Sequence, residues 1–450
     1  MRSFTTDTML RRLGHESRLT ATLALPLAAG QLSQMLIALT DTLMVGRLGV
    51  LPLAAATFAN NVLYVPFIFG LGFSMSISIR VSQARGAGDQ HTARAALRHG
   101  LYLSLAVGAF TMLGVWGIQP FLGLFHQEPE IIRAVPRYFL FIAASMIPAL
   151  GAMAVKNHAD AMNKPWPPFW IMLAGAGLNV GLNWVFIYGN LGAPRMGLDG
   201  SGLATLLARL AMLAGMILWC TRARSVRDWI PTHWFRAPEL DAVGDLLRLG
   251  LPTSLQLLAE VSAFVMATLL IGTLGENALA SHQVAMTCAA TIFMVPLGLS
   301  QALTVRMGEA WGAAEHARLR LVLVSGWGLA LAFTACSAQA FLFFRHTIAS
   351  WFLTDPKAAS LTASLLLISA AFQVSDAMQV SSAGALRGLG DVGVPVWIAF
   401  VAYWIISIPV GWFLASSLGW GVAGMWWGIT VGLTSTAIAL GVRIWRKTAV

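Results

Sequence analysis

Charge is scarce in this chain: Asp, Glu, Lys and Arg make up 11% of its 450 residues, against roughly a quarter in an average soluble domain. With 57% hydrophobic residues, that shortage excludes an ordinary water-soluble fold and points to an integral membrane protein. Cysteine is scarcer still. Cys220, Cys288 and Cys336 all fall inside apolar runs, which excludes a disulfide framework and a Cys/His metal spacing and leaves them as packing residues. The first twenty residues carry Arg2, Arg11, Arg12 and Arg18 with no apolar core between them, so no cleavable signal peptide is expected. The Arg11-Arg12 pair lacks the pattern of an export signal and reads as a cytoplasmic anchor. Nor does the net charge of +10 imply nucleic acid, because the basic residues sit in short clusters between apolar runs. Clusters of that kind set topology.

What is present is a series of apolar segments of about 20 residues, the length that crosses the hydrocarbon. They start near Leu19, Leu51, Ala93, Arg133, Trp166, Asp199, Gly244, Ala278, Leu319, Ser360, Val394 and Gly421, which predicts twelve spans. With the N-terminus in the cytoplasm, only Arg47, Arg133, Arg137, Arg195, Arg345 and Lys357 of the 29 Lys and Arg lie outside, and Arg209 lies within a span. The asymmetry supports this orientation, that of a multi-pass protein of the cytoplasmic (inner) membrane with both termini in the cytoplasm. The longest hydrophilic connection, Arg222 to Leu240, falls near the midpoint of the chain. A constant shift of 226 residues aligns Pro26 with Pro252, Gly46 with Gly272, Gly49 with Gly275, Leu53 with Leu279, Arg80 with Arg306 and Gly86 with Gly312. We read this as an internal duplication: an N-terminal lobe over residues 1–222, a cytoplasmic linker over 223–243 and a C-terminal lobe over 244–450. Six spans per half is an even number, so both halves enter the membrane in the same direction. The expected fold is all-α, with twelve transmembrane helices in two six-helix lobes related by a pseudo-twofold along the membrane normal, an arrangement that recurs in secondary transporters.

Three of the 19 acidic residues lie deep in apolar sequence: Asp41, Glu260 and Asp376. An acid at the bilayer centre costs about 2.5 to 3.5 kcal/mol on insertion scales and is usually kept for a pathway, a relay or an ion site. Each has polar neighbours at helical spacing: Gln31 and Gln34 before Asp41, Gln256 four before Glu260, and Gln373 and Gln379 three on either side of Asp376. These stripes must face protein or a water-filled cavity. Three buried acids without a basic partner argue against a role as interhelical glue, Arg209 being the one residue placed to neutralise one of them. An unpaired buried carboxylate takes a proton or a cation. If a coupling ion and a cationic substrate compete for it, each lowers the affinity of the other, as antiport requires.

Asn179 and Asn183, four apart in span five, are placed either to complete an oxygen-lined site with Asp41 or to bond two helices together. Pro26 and Pro252 break spans one and seven before Asp41 and Glu260 and are hinge candidates, although proline is common in membrane helices. The 17 Trp and 23 Phe supply interfacial belts and packing. An enzyme would need a clustered nucleophile, metal set or acid–base pair. His282 is the one histidine close to a polar face, and it reads as a satisfied hydrogen-bonder, so no enzymatic activity is expected.

The segments TDTLMVGRLGVLPLAA, Thr40 to Ala55, and ALRGLGDVGVP, Ala385 to Pro395, resemble the end of span one and the loop after span ten in the multidrug and toxic compound extrusion (MATE) family. The resemblance extends over nearly the whole chain. It implies that Glu260 and Asp376 form the acidic pair of the NorM-like branch and bind the coupling cation, sodium or a proton. By the same resemblance Asp41, Asn179, Asn183 and Thr205 form a second cation or proton site in the N-terminal lobe. Gln283 and Asp355 match positions near bound drugs. Where NorM-like proteins often carry a tyrosine in span eight, this chain has Phe293. That residue joins Gln34, Gln256, Gln283, Asp355, Gln373 and Gln379 as a candidate for the substrate cavity.

The expected function is secondary active efflux of lipophilic organic cations by a monomer in membrane lipid, with alternating access between two lobes and no cofactor beyond the coupling ion. A lipid-linked precursor flippase of the same superfamily is the alternative. It would need basic residues lining its cavity, and Arg209 alone lies within a span.

Overall fold

The computed structural model describes residues 2–125 and 128–449. Among them every regular element is helical. In hydrocarbon a single segment can satisfy its own backbone hydrogen bonds only as a helix. Twelve helices are long and apolar enough to cross a membrane. They are α1 Arg2–Gly46, α2 Val50–Gly86, α3 Gln90–Ile118, α4 Pro136–Ala161, α5 Trp166–Tyr188, α6 Leu198–Arg222, α7 Leu240–Gly272, α8 Glu276–Gly312, α9 His316–Phe352, α10 Pro356–Gly388, α11 Gly393–Ser417 and α12 Gly421–Lys447. Two starts differ from the sequence expectation. Helix α1 runs through the basic segment well before Leu19, and Arg133 lies in a separate short helix, Pro129–Ala134, ahead of α4. Pro136 opens α4, where the missing amide proton would have had no partner anyway.

The duplication is written into the helix ends. Helices α2 and α8 are both 37 residues long and begin and end 226 positions apart. Gly49 and Gly275 precede them with φ of 119° and 116°, a backbone conformation open essentially to glycine alone. Each bends the chain from one span into the next. At the following turn the copies part. Asp89 caps α3, accepting from the Thr92 amide at 3.0 Å and the Thr92 hydroxyl at 2.5 Å, and these bonds hold its carboxyl below the ordinary carboxylate value. The matching Glu315 makes no cap and instead pairs with Arg318 at 3.0 Å.

By contacts the chain forms two compact units, one of Ala29–Ser254 and the other of Met1–Ala28 with Leu255–Val450. The division falls inside two helices, two residues beyond Pro26 in α1 and two residues beyond Pro252 in α7. The leading part of each helix therefore packs in a different unit from the rest of it. In the unit of Ala29–Ser254, Leu246 from the leading part of α7 enters an apolar core with Ile77, Leu97, Val155 and Met216. In the other unit, Leu23 and Leu27 from α1 enter a core with Leu299, Leu303 and Leu323. The duplicated arginines hold these parts. Arg80 pairs with Asp245 at 2.7 Å. Arg306 pairs with Glu16 and also donates to the Glu16 carbonyl and the Thr20 hydroxyl, each at 2.7 Å.

The connection between α6 and α7 is docked rather than loose. Val226 and Ile230 join the core of the Ala29–Ser254 unit, and Arg98 pairs with Glu239 at 2.7 Å. His99 donates from Nδ1 to the Ala95 carbonyl at 2.8 Å and accepts at Nε2 from the Glu239 amide at 3.0 Å. In the other unit, α11 and α12 meet through small residues. A Cβ on Gly428 would stand 2.1 Å from the Gly411 Cα, so both backbones approach as only glycine permits.

Candidate functional site

Each unit contains one cluster built around an intramembrane acid. In the Ala29–Ser254 unit, Asp41 comes from the last turns of α1, and Asn179 and Asn183 project from one face of α5, as their four-residue spacing dictates. Asn183 Nδ2 donates to Asp41 Oδ1 at 2.5 Å and to Asn179 Oδ1 at 3.2 Å. The chain continues from Asn179 Nδ2 to Thr205 Oγ1 at 3.3 Å, and from that hydroxyl to the Ser201 carbonyl of α6 at 3.0 Å. All four residues expected at this site are thus brought together. Asn183 is fully buried, and its Oδ1 has no hydrogen-bond partner among the described residues. Two neighbours complete the surroundings. Arg209 lies within electrostatic reach of Asp41 while donating to Ser145 Oγ at 2.8 Å. Tyr138 of α4, buried beside the same acid, was not a sequence candidate.

In the unit that holds Leu255–Val450, Glu260 of α7 lies within electrostatic reach of Asp376 of α10. The three-residue spacing of Gln373, Asp376 and Gln379 turns them to one side of α10, and all three are buried. Gln379 lies against Glu260, and its Oε1 has no partner among the described residues. Gln373 Oε1 accepts from Ser337 Oγ at 2.6 Å, leaving its Nε2 unpartnered. Gln256, one turn before Glu260, is buried with its Oε1 likewise unpartnered. Two further groups belong to this cluster and were missed. Tyr403 of α11, 1% exposed, sits beside Glu260 in a stretch, Val401–Ser407, wound as a π-helix. Arg387, in the last turn of α10, is buried, donates to Ser300 Oγ at 2.9 Å and lies within electrostatic reach of Glu260.

Arg387 corrects two readings. The sequence placed it in a cytoplasmic loop, whereas α10 continues through it. The sequence also offered Arg209 alone as a residue able to neutralise a buried acid; Arg209 lies in reach of Asp41, and Arg387 is a second such residue, in reach of Glu260. Lys156, likewise basic and near a helix end, is buried in α4 and paired with Asp160 at 2.7 Å.

The remaining candidates are dispersed. Gln34 and Phe293 are partly exposed and Gln283 is exposed. Asp355 is exposed at the start of α10, where its carboxylate accepts from the Ala358 amide at 3.0 Å, the work of a helix cap. Pro26 and Pro252 stand inside helices that continue past them. His282 has both ring nitrogens satisfied. Trp426 Nε1 donates to Nδ1 at 3.1 Å, so Nε2 carries the proton and donates to Thr268 Oγ1 at 3.0 Å.

Chemically, both clusters present carboxylate, amide and hydroxyl oxygens inside apolar helices, each near one guanidinium. Such a set can exchange a proton or a small hard cation, because it supplies negative charge and neutral oxygen ligands in one place. Neither cluster offers a nucleophile with an adjacent base.

Comparison with known proteins gives the same two halves. A family model described as MatE matches residues 26–185 and again residues 252–413. The "Probable multidrug resistance protein NorM" of Rhizobium meliloti (strain 1021) is 35% identical over 429 residues, covering 94% of this chain and 92% of that protein. The multidrug resistance protein PmpM of Pseudomonas aeruginosa is 34% identical over 443 residues, covering 97% and 92%. Among solved structures, one titled "Crystal structure of MATE in the bent conformation" superposes with a TM-score of 0.89 at 21% identity, covering 98% of this chain and 97% of that one. The eukaryotic MATE transporter AtDTX14 gives 0.87 at 19% identity, covering 97% and 98%.

Proposed function

The chain belongs to the MatE family of membrane transporters, and from that premise we propose that it exports lipophilic organic cations by antiport against sodium ions or protons. The names of its relatives support multidrug efflux and do not favour a lipid-linked precursor flippase. One observation carries the antiport reading: Glu260 and Asp376, from two different membrane helices, lie within electrostatic reach of each other in a buried cluster. Two carboxylates so placed repel when both are ionised, and an arriving cation or proton relieves that repulsion. Coupling ion and cationic drug are then alternatives for one negative centre, and each weakens the binding of the other. Asp41 with Asn183, Asn179 and Thr205 forms a second cation or proton site of the same chemistry. Substrate and ion reach these acids by alternating access, with Pro26 and Pro252 as hinges. The protein works in the inner membrane with both termini in the cytoplasm.

The test is ethidium export from proteoliposomes under an imposed ion gradient. Glu260→Gln and Asp376→Asn should each abolish gradient-driven export without lowering the yield of folded protein. Full activity in both variants would remove the acidic pair from the mechanism.

A further inference from the structure

The leading turns of α1 and the start of α9 line a cleft of about 850 Å³, and both belong to the unit of Met1–Ala28 with Leu255–Val450. From α1 come Arg11, Arg12 and His15, whose spacings of three and four residues put them on one side of the helix. From α9 comes Arg318. The two acids in the wall are already committed: Glu16 accepts from Arg306 and, at 3.0 Å, from Arg318, and Glu315 pairs with Arg318 at 3.0 Å. Arg12 is exposed and pairs with no carboxylate among the described residues. The cleft therefore keeps an excess of positive charge. The other repeat does not reproduce it, since the residue 226 positions before Arg318 is Thr92, which is bonded to the cap Asp89. Helix α9 has no side-chain cap, and the positive end of its dipole adds to the field of the arginines.

The level of the cleft in the membrane selects the anion. His15 and Arg12 precede the apolar run at Leu19 by four and seven residues, about 6 and 10 Å along a helix, a distance that spans the headgroup layer outside the hydrocarbon. Tryptophans mark the same level. Trp311 packs edge-on against His316 with ring centroids 5.5 Å apart, and the Arg320 guanidinium lies 4.9 Å over the Trp445 ring; tryptophan gathers where membrane meets water. We propose that this cleft binds the phosphate of an anionic phospholipid, with Arg11 and Arg12 as the charged contacts and His15 and Arg318 as supporting donors. A guanidinium presents two parallel N–H groups to two phosphate oxygens, and the apolar wall of Ala314, Ala317 and Leu321 suits the glycerol and the first carbons of the acyl chains. The site shares no residue with the Asp41 and Glu260 clusters, so it stands whether or not those carry the coupling ion. A lipid phosphate and free phosphate offer the same oxygens, and the experiment separates them.

The full chain in detergent micelles is titrated with dioleoyl phosphatidylglycerol, with dioleoyl phosphatidylcholine and with inorganic phosphate, and bound molecules are counted by native mass spectrometry. The parent should bind one phosphatidylglycerol well ahead of either competitor. The double variant Arg11→Gln with Arg12→Gln should weaken that molecule's binding about thirtyfold, roughly what two basic residues gain at an anionic lipid surface. A second double variant, Arg224→Gln with Arg236→Gln, removes the same charge from exposed positions in the connection between α6 and α7 and should leave the binding unchanged. Equal losses in the two double variants would mean attraction to overall charge rather than a site, and overturn the proposal. So would unchanged binding in Arg11→Gln with Arg12→Gln, or phosphatidylcholine held as tightly as phosphatidylglycerol by the parent. Inorganic phosphate binding as tightly as the lipid would overturn the assignment to a phospholipid in favour of a soluble anion. The comparison of the three ligands on the parent needs no variant and decides the matter even if the substituted proteins fold poorly.

Discussion

Replacing Arg306 by Gln should destabilise the protein far more than replacing Arg80, although the duplication puts both at the same position of their repeats. Arg306 and Glu16 have side chains only 4% and 10% exposed, and the guanidinium makes two further bonds of 2.7 Å, to the Glu16 carbonyl and Thr20. Breaking a buried pair by removing one partner costs about 3 to 5 kcal/mol, because the other charge is left uncompensated. Glu16 keeps Arg318 at 3.0 Å, which argues for the lower end, about 3 kcal/mol. The Arg80–Asp245 pair is 37% and 44% exposed. An exposed pair is worth about 0 to 1 kcal/mol. The difference of about 2 kcal/mol or more corresponds to over an order of magnitude in the unfolding equilibrium. Denaturant titration of purified Arg306→Gln and Arg80→Gln in the same micelles, followed by circular dichroism, gives the comparison. If Arg80→Gln costs as much as Arg306→Gln, burial does not govern these pairs, and the reasoning fails.

Asp391 accepts from Arg443 at 2.7 Å and pairs with Lys447 at 2.9 Å. Its burial pushes the carboxyl up, but the bonds from Arg443 and Lys447 outweigh it and hold the group below the ordinary 3.8. A depressed folded value means that the stabilisation is present above the unfolded value and is lost as pH falls through the folded one. Asp391→Asn should therefore cost about 1 to 2 kcal/mol at neutral pH, with the gap to the parent closing only below about pH 4; a gap that closes between pH 8 and 5 would contradict the assignment. In the other unit, Asn183→Leu removes the donor to Asp41 and cuts the link to Asn179. It should lower export roughly tenfold, as expected for a buried acceptor left unmade, and Asp41→Asn should also weaken it. Unchanged rates over a range of pH in both variants would take this cluster out of the transport cycle.

Much of this architecture was legible in the sequence because the relevant signals are local. Gly49 and Gly275 mark matching turns, and a span length of apolar residues marks a helix. Asn179 and Asn183 share a face by spacing alone. Asp41 and Thr205 join them from other helices, and there the resemblance to a family supplied what periodicity could not. Tyr403 was illegible for a definite reason. Its approach to Glu260 depends on a π-helical register, and a tyrosine in an apolar run of span eleven looks the same in any register. Arg387 was misplaced because a basic residue beside Gly388 and Gly390 has the composition of a loop, whereas the helix continues to Gly388. Asp355 has a local role that spacing alone also supports, since an acid before a proline at a span's start caps the helix.

The exchange of leading half-helices also bears on how such a chain could have arisen and how it can be divided. If two identical single-repeat proteins associate by swapping their first 28 residues, fusing their genes end to end yields a chain whose contacts partition as these do. Cutting at the midpoint connection would then not release two self-sufficient folding modules. The N-terminal fragment would carry away Leu23 and Leu27, which complete a core built by the other fragment. The C-terminal fragment would carry away Leu246, which completes a core built by the first. Each piece is the missing part of its sibling, so the two are obligate complements rather than independent domains.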